Sequence, residues 1–448
     1  MSLPRYPNYK DSGVEWLGEV PEHWEVCSFR HCLSQMFNGL AATQVDEADG
    51  TVPVTRIETI SYGVIDESRL GFISSDDARE DRRLLDGDIL FSNINSLNMV
   101  GKCAYYGGGR LIYAGMNLLV LRPSAICYPP WLCWLVRSIG FRNVVESLAK
   151  PAINQASVSQ SSVNSIVVST PPLHEQTQIA AFLDRETAKI DELVAEQRRL
   201  MALLKEKRQA VISHAVTRGL NPHAPLKPSG IEWLGDVPEH WDMKPIKHLG
   251  KIISGFAFKS GDFTSAGVRV LKIANIQTYA IDWTDDSYVP ESFYQAHSSF
   301  AVQNGDVVFA LTRPIISTGL KAAIADIGEE HVLLNQRNAI FRPDSKLDKH
   351  FIYQFLFSDS FRVDFENKID ATGQQPNISP IDIGEIRIPL PPMQEQAAIG
   401  NNLKAITLEF DTLATEAQRA IDLLQERRTA LISAAVTGQI DVRGAVAV

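Results

Sequence analysis

The sequence predicts an α+β protein with a pseudo-twofold internal repeat. Two mixed α/β, loop-rich modules are separated by two long helices that pair as an antiparallel coiled coil. Residues 13–24 (GVEWLGEVPEHW) recur as 230–241 (GIEWLGDVPEHW), with ten of twelve positions identical. Residues 203–217 (LLKEKRQAVISHAVT) recur as 423–437 (LLQERRTALISAAVT), with ten of fifteen identical. Because the halves diverge between these segments, the repeat indicates one scaffold that carries two different modules.

The first module is predicted to cover residues 1–173 and the second residues 221–392. In the first, residues 52–60 (VPVTRIETI) and 87–93 (GDILFSN) have the composition of short strands. In the second, residues 268–276 (VRVLKIANI) and 305–311 (GDVVFAL) occupy the matching places. Each module ends in a PPxxEQ motif, PPLHEQ at 171–176 and PPMQEQ at 391–396. The two modules are therefore expected to share a fold.

The tryptophans of the repeated twelve-residue segment predict a structural anchor. Trp16 and Trp24 surround a Gly and a Pro in the first copy, and Trp233 and Trp241 do so in the second. An aromatic binding surface is the alternative. We expect instead that each group ties the start of its module to the helices.

The first long helix is predicted within residues 174–220, and its repeat within 393–440, followed by a tail at 441–448. The segment from Glu175 to about Val216 contains no Gly or Pro and is rich in Ala, Leu, Glu, Gln, Lys and Arg. A helix of about 42 residues is roughly 60 Å long. Gly219 and Gly438 are expected to end the two helices at matching positions.

A seven-residue frame predicts the apolar seam along which these helices pair. Its predicted core residues are Leu183, Ile190, Leu193, Leu200, Leu204 and Val211 in the first helix, with Leu403, Ile406, Phe410, Leu413, Leu424 and Leu431 in the second. The alternative is that the apolar face of each helix packs only on its own module. The two apolar faces match in length and register, which favours pairing of the helices with each other.

Composition limits the possible classes of protein. The 448 residues are 45% apolar and 21% charged, which is typical of globular domains. The apolar stretch 126–136 is interrupted by Pro129 and Pro130 and is shorter than a membrane span. The five cysteines all lie in the first third of the chain, and the N-terminus lacks the apolar core of a signal peptide, so a cytoplasmic location is expected. With a net charge of −10, the chain is not a basic, free-standing DNA binder.

The repeated twelve-residue segment, the two PPxxEQ motifs and the long helix after each of them resemble the specificity subunit of type I restriction-modification systems. The resemblance extends over essentially the whole chain. It implies two target recognition domains that each read one half of a split double-stranded DNA site. It also implies two helical regions that set the spacer between the halves and dock two modification subunits. It also implies that the subunit is not an enzyme. Methylation, ATP-driven translocation and cleavage would come from the modification and restriction subunits, which would hold S-adenosylmethionine, ATP and Mg²⁺.

Candidate DNA-contacting residues lie in loops where the two halves differ. Arg and Lys side chains match guanine edges, and Asn and Gln match adenine edges. In the first module the candidates are Asn93, Asn95, Asn98, Lys102, Arg110, Asn117, Asn154 and Gln155. In the second they are Lys259, Lys272, Asn275, Gln277, Thr312, Arg313, Asn335, Gln336, Arg337, Asn338, Gln374, Gln375 and Asn377. A solvated loop is the alternative reading of each single residue.

Two other classes of function remain as alternatives on the sequence. A stand-alone DNA nuclease would need carboxylates and a lysine such as Asp344, Glu366 and Lys368, but the first half has Ser124 in place of Asp344. The chain lacks the Asn-Pro-Pro-aromatic signature that a stand-alone amino-methyltransferase would carry, and it contains no phosphate loop for ATP chemistry. The cysteines contain no C-x-x-C, so no metal site is predicted. A coiled-coil scaffold with protein-binding lobes would show no DNA sequence preference.

Overall fold

The computed structural model describes residues 4–60, 63–152, 155–344 and 347–445. The chain forms two compact units. Unit 1 contains residues 1–198 together with 418–448, and unit 2 contains residues 199–417. Each unit thus joins one module to segments of both long helices. The module boundaries at 173 and 392 remain predictions.

The first module is built from short strands and three short helices. Its strands are β1 Tyr9–Asp11, β2 Glu19–Pro21, β3 Glu25–Ser28, β4 Leu33–Asn38, β5 Thr51–Val54, β6 Gly71–Ser74, β7 Ile89–Ser92, β8 Ile94–Asn95, β9 Cys103–Tyr105, β10 Leu118–Pro123, β11 Lys150–Ala152, β12 Gln155–Ser157 and β13 Val167–Thr170, and its helices are α1 Pro129–Arg137, α2 Ile139–Leu148 and α3 Gln160–Ser165. The main sheet has the order β4-β10-β7-β9 and is antiparallel throughout. A second sheet has the order β11-β12-β8, and β3 pairs with β13.

Strand β7 is buried on both faces of the main sheet, and its alternate residues enter two different cores. Ile89 and Phe91 belong to the cluster that contains Trp131 of α1 and Phe141 of α2. Leu90, between them, belongs to the separate cluster on the opposite face. This follows from the two-residue period of a strand, and it explains why the sequence GDILFSN is a continuous apolar run rather than an alternating one.

The long helix α4, Leu173–Arg218, follows the first module and confirms the predicted helix. It ends at Gly219, whose φ of +75° places it in the left-handed region that favours glycine. The second module then repeats the main sheet of the first and differs in the remaining strands and helices.

The strands of the second module are β14 Leu226–Pro228, β15 Asp236–Pro238, β16 Asp242–Pro245, β17 Gly250–Ser254, β18 Val268–Leu271, β19 Tyr288–Val289, β20 Val307–Ala310, β21 Ile315–Ile316, β22 Gly319–Leu320, β23 Ala322–Ile324, β24 Val332–Leu334, β25 Asn338–Pro343 and β26 Arg387–Leu390. Its helices are α5 Ser292–Ala296, α6 Lys349–Leu356, α7 Asp359–Asn367 and α8 Pro380–Gly384. The main sheet, β17-β25-β20-β23, matches that of the first module, and β16 pairs with β26. The sheet β19-β18-β24 contains a parallel pair, β18 with β24. The second long helix, α9 Met393–Val436, completes the fold.

The two long helices run antiparallel within each unit. In unit 1, Arg443, just beyond the end of α9, lies 3.7 Å from Glu175 at the start of α4, and Arg428 donates to Asp191 at 2.9 Å. In unit 2, the last turns of α4 share a core cluster with Ile399 near the start of α9. Further back along α4, Arg208 lies 3.7 Å from Asp411. Moving forward along one helix therefore means moving backward along the other, as the sequence predicted.

The seam between the helices differs from the predicted frame at one of its two core positions. Leu183, Ile190 and Leu403 are buried, and Leu204, Val211, Ile406, Phe410, Leu424 and Leu431 are half-buried. Leu193, Leu200 and Leu413, however, are 44%, 43% and 40% exposed. Their assignment to the core is wrong.

The second core position lies one residue further along each helix. Val194 is buried, and Met201 and Ala414 are half-buried, each directly after a leucine that the prediction placed in the core; Ile421 is also buried. A seam of period 3.5 alternates steps of three and four residues, and either order fits the same spacing of leucines. The sequence pattern indicates the wrong order because leucines occupy exposed positions directly beside the core residues.

The PPxxEQ motif fastens each module to its helix. The side chain of Gln176 donates to the Pro171 carbonyl at 2.8 Å and accepts from the Tyr128 backbone N–H at 2.7 Å. In the second module Gln396 donates to the Pro391 carbonyl at 2.8 Å and accepts from the Asp348 N–H at 2.9 Å. In each copy one bond is to the motif's own first proline, directly before the long helix, and the other is to the residue that precedes α1 or α6, so the motif fixes that module helix relative to the long one.

The repeated tryptophans are part of the same anchor, which confirms the structural reading of these residues. Trp24 is fully buried, and its indole N–H donates to Glu175 Oε2 at 3.1 Å. Trp241 is also fully buried, but its indole nitrogen has no hydrogen-bond partner among the described residues. The two anchors therefore share their packing but differ in their polar contacts.

Candidate nucleic-acid interface

The strands of each main sheet begin and end along two opposite sides, one next to the long helices and one away from them. Each of these sides is here called an edge. In the second module, β17 begins directly after the β16–β26 pair that leads into α9. At the distant edge β17 and β20 end and β25 and β23 begin, as the pairings of Ser254 with Ala339 and of Ala310 with Asn338 show. We call this distant edge of each sheet the recognition edge. Most of the predicted DNA-contacting loops leave the sheets there.

Hydrogen bonds gather the loops at the recognition edge of the second module. The backbone N–H of Leu311 donates to the Arg337 carbonyl at 2.9 Å, and that of Arg313 donates to the Pro376 carbonyl at 2.8 Å. The Thr312 hydroxyl donates to Asn377 Oδ1 at 3.2 Å. Three loops that are separate in sequence thus form one surface.

The side chains on this surface are mostly polar and exposed. Arg313, Gln336, Arg337, Gln374, Gln375 and Asn377 are exposed, whereas Thr312 and Asn335 are half-buried. These residues supply both donors and acceptors, the two kinds of group that read base edges. The structure thus brings together eight of the thirteen candidates of this module.

The recognition edge of the first module has the same construction with different side chains. There β4 and β7 end and β9 and β10 begin. The Val158 N–H donates to the Asn93 carbonyl at 2.9 Å, and β12 pairs with β8 through Ala156 and Asn95. Candidates at this edge are Asn93, Asn95, Lys102, Asn117 and Gln155. Amide side chains occur at both edges, but Arg313 and Arg337 of the second edge have no counterpart among these candidates.

Three predicted contact residues are buried. Asn275 is 1% exposed, and its side chain donates to the carbonyls of Asp282 and Asp285 and accepts from the Lys272 N–H. Asn338 is fully buried and donates to the Leu271 carbonyl at 2.9 Å. The assignment of these two residues to the DNA interface is wrong, because their amides hold loops together. Asn93 is 8% exposed and contributes mainly its backbone to the edge.

Other candidates lie elsewhere or are engaged. Arg110 follows β9 at the opposite end of the sheet, where it lies 3.7 Å from Glu47, so it is not at the recognition edge. Lys272 lies 3.3 Å from Asp285. Gln277 is half-buried and donates to the Ala274 carbonyl, and Lys259 is exposed in the turn that follows Phe258. Asn154 and the side chain of Asn98 lie outside the described residues.

A cleft at the recognition edge of the first module was not predicted. It has a volume of about 660 Å³ and is lined by residues 36–43 together with Asp77, Arg79, Arg82 and Gln160. The charged run at 76–83 (DDAREDRR) was its only sequence signal. Both arginines pair with Asp81, at 3.0 and 2.9 Å, so each already has a counterion.

The charged pairs that brace the modules lie at the edges next to the helices. Arg122 donates to Asp88 at 2.8 and 2.9 Å, and Arg342 donates to Asp306 at 2.7 Å through two nitrogens. These hydrogen bonds raise the pKa of both guanidinium groups above their ordinary value. Both carboxylates are almost fully buried. The pairs occupy equivalent positions, so they belong to the shared scaffold and not to recognition.

Among the residues that the structure describes, no group of three or more His, Cys, Asp or Glu residues is arranged to hold a metal ion. None of the helices that the structure describes has the length and apolarity needed to cross a membrane.

Two matched modules, each presenting a polar recognition edge away from a pair of long helices, define the class of duplicated recognition subunits. The model of the type I restriction modification DNA specificity domain matches residues 31–199 and 238–421. The chain therefore belongs to the family of type I restriction-modification DNA specificity subunits.

Similar proteins and structures agree with this family. The putative type I restriction enzyme MjaX specificity subunit of Methanocaldococcus jannaschii is 29% identical over 443 residues, covering 97% of each chain. The EcoKI specificity subunit of Escherichia coli K12 is 24% identical, covering 94% of this chain and 90% of that protein. A chain of a solved type I R-M system superimposes with a TM-score of 0.68 at 17% identity, covering 93% of this chain and 98% of that one. The HsdS subunit of Thermoanaerobacter tengcongensis superimposes with a TM-score of 0.54 at 16% identity, covering 94% and 98%.

Family membership establishes the general function. The chain is a non-catalytic DNA specificity subunit, and the catalytic activities of such systems are carried by other subunits. Neither the stand-alone nuclease or methyltransferase nor the protein-binding scaffold gains support.

Proposed function

We propose that each module reads one half of an asymmetric, bipartite double-stranded DNA site. The observation that carries the proposal is the pair of equivalent recognition edges with different side chains. A shared sheet gives both modules the same way of presenting loops, whereas Asn95 and Gln155 at one edge and Arg313 and Arg337 at the other offer different hydrogen-bonding groups. Different groups read different base edges, so the two half-sites differ in sequence.

The paired helices set the spacer between the half-sites in this proposal. At 1.5 Å per residue, helices of 46 and 44 residues are roughly 65–70 Å long. Half-sites read from one face of DNA lie about one helical turn, or 34–36 Å, apart. Each helix is thus longer than one such turn, which is the length that a spacer between two modules would need.

The same proposal assigns the partners. Two modification subunits bind the helical regions and supply methyl transfer with S-adenosylmethionine, and restriction subunits supply ATP- and Mg²⁺-dependent translocation and cleavage. The net charge of −10 supports a need for partners that help to hold the DNA. The complex acts in the cytoplasm, where the DNA is and where the free thiols of all five cysteines stay reduced.

Methylation mapping tests the proposal. Cells that express the chain with its modification subunits are sequenced for methylated bases, and the expected result is one motif with two short specified halves around an unspecified spacer. Replacing residues 221–392 by the equivalent module of a relative should change one half and leave the other half and the spacer as they were. A single continuous motif, or a change in both halves, would contradict the proposal.

A further inference from the structure

The two recognition edges differ in one property that bears on base preference: the number of arginines without a counterion. In the first module, the seven arginines from Arg56 to Arg122 each have a carboxylate oxygen within 3.7 Å. In the second module, Arg269, Arg342 and Arg362 are paired in the same way, with closest distances of 2.6–2.7 Å. Arg313 and Arg337 are exposed and have no ion pair among the residues that the structure describes.

These two arginines are neighbours at the recognition edge. Arg337 immediately precedes β25 and Arg313 follows β20, and these strands are adjacent in the sheet. The hydrogen bond from the Leu311 N–H to the Arg337 carbonyl, 2.9 Å long, joins the two loops. Neighbouring loops of this surface therefore carry two exposed arginines without an ion pair, although this module as a whole is not basic.

The backbone at Arg313 is held in an unusual conformation. Its φ is +47°, in the left-handed region that residues with a Cβ adopt at a cost. The conformation is fixed on both sides, because Thr312 forms a bridge with Asn377 and the Arg313 N–H donates to the Pro376 carbonyl. Such strain is retained where the surroundings determine it, and it is concentrated at functional sites. A loop held in this way points the arginine in a defined direction, which a simple charge contact to phosphate does not require.

We propose that Arg313 and Arg337 read guanine in the half-site of the second module. A guanidinium presents its donors as a planar fork, and the major-groove edge of guanine presents O6 and N7 as two acceptors that match it. Among the described residues, the arginines at the recognition edge of the first module, Arg79 and Arg82, are ion-paired, so base reading by arginine belongs to the second half-site. The inference rests on the proposed bipartite function and specifies the base type that one half-site contains.

The test is a set of thermodynamic cycles between side chains and base pairs. The full chain, assembled with its modification subunits, binds by competition to duplexes that carry its mapped site or single base-pair changes in the second half-site. The variants are Arg313→Gly, which removes the guanidinium from a conformation that favours glycine, and Arg337→Ala. Arg387→Ala is the matched control, because Arg387 is exposed and has no ion pair with any described residue but lies on β26, next to the helices.

The wild-type complex should lose about 5- to 150-fold in affinity when a contacted G·C pair is replaced. In Arg313→Gly or Arg337→Ala that penalty should largely disappear at one G·C pair and persist at all other positions, whereas Arg387→Ala should keep every penalty. Loss of affinity that is equal for all duplexes would identify phosphate contacts and overturn the inference. Coupling to an A·T pair, or none at any position, would also overturn it. Failure of the wild-type chain to specify two half-sites would instead refute the proposed function.

Discussion

His23 Nε2 lies 2.7 Å from Glu175 Oε1, and this contact joins the conserved parts of the repeat. His23 belongs to the repeated twelve-residue segment and Glu175 to the PPxxEQ motif, 152 residues later. The second copy has the same contact between His240 and Glu395, also 2.7 Å. Two motifs that are distant in sequence recur together because they form one anchor between a module and its helix.

Glu175 should contribute more to stability than its counterpart Glu395. Its carboxylate is 2% exposed and accepts from Tyr6, His23 and Trp24, whereas the side chain of Glu395 is 28% exposed. Burial and the Glu175 charge raise the pKa of Tyr6, which keeps the phenol protonated as a donor. We expect Glu175→Gln to lower the free energy of unfolding by about 2–3 kcal/mol and Glu395→Gln by about 1 kcal/mol or less. Denaturant unfolding of the two variants measures this, and equal losses would contradict the asymmetry.

The corrected seam predicts that a charged substitution has very different effects on stability at two adjacent residues of α4. Val194 is 8% exposed and Leu193 is 44% exposed. Val194→Asp should therefore cost about 3 kcal/mol or more, because it places an unpaired charge in the seam, whereas Leu193→Asp should cost roughly 0.5 kcal/mol or less. Thermal unfolding of both variants distinguishes the frames. The frame predicted from the sequence requires the opposite order.

Burial of Asp364 predicts that the second module loses stability as the pH rises. Burial raises the pKa of Asp364, although Lys368 and a hydrogen bond from Trp233 act in the opposite direction. Since the folded-state pKa lies above the unfolded value of about 3.9, folding disfavours the ionised form. The penalty is absent below that pH and grows as the pH rises towards the folded-state pKa. Asp364→Asn should therefore stabilise the chain at pH 7 but not below about pH 4. Unfolding measured across this pH range, with the exposed Glu239→Gln as control, tests the sign, and a destabilised Asp364→Asn at pH 7 would refute it.

If the paired helices set the spacer, as proposed, lengthening both helices should lengthen the spacer by a defined amount. Inserting seven residues after Gln197 and seven after Asp422 keeps the seam in register and adds about 10.5 Å to each helix. At 3.4 Å per base pair, the unspecified spacer should lengthen by about three base pairs with unchanged half-sites. Methylation mapping measures the spacer. Insertion into one helix only is the control and should disrupt the pairing of the two helices. An unchanged spacer after the double insertion would contradict the proposal that the helices set its length.

The isolated chain should bind DNA weakly and with strong salt dependence. With a net charge of −10, its affinity depends on a few local cations that release counterions from phosphates. We expect that adding the modification subunits increases the affinity by at least about 10-fold at 150 mM salt. Fluorescence anisotropy across a salt series measures both states, and tight, specific binding by the isolated chain would show that partners are not required.

Part of the interface was accessible from the sequence because loop position and residue type depend on local pattern. The loops with Thr312, Arg313, Arg337 and Asn377 were identified in this way, and the structure brings them together. Asn275 and Asn338 were misassigned because a buried amide that holds two loops has the same sequence signature as an exposed one. Only the burial of the side chain separates the two cases.

The sequence alone determined the duplication, the two long helices and the family, since repeated motifs at a nearly constant offset and a 3.5-residue apolar period need no three-dimensional information. The tertiary structure decided which of two adjacent residues, Leu193 or Val194, faces the partner helix. It also decided which arginines lack counterions, as Arg313 does and Arg342 does not. Both depend on which groups approach each other across long sequence separations, because burial and ion pairing are properties of neighbours in space rather than of neighbours along the chain.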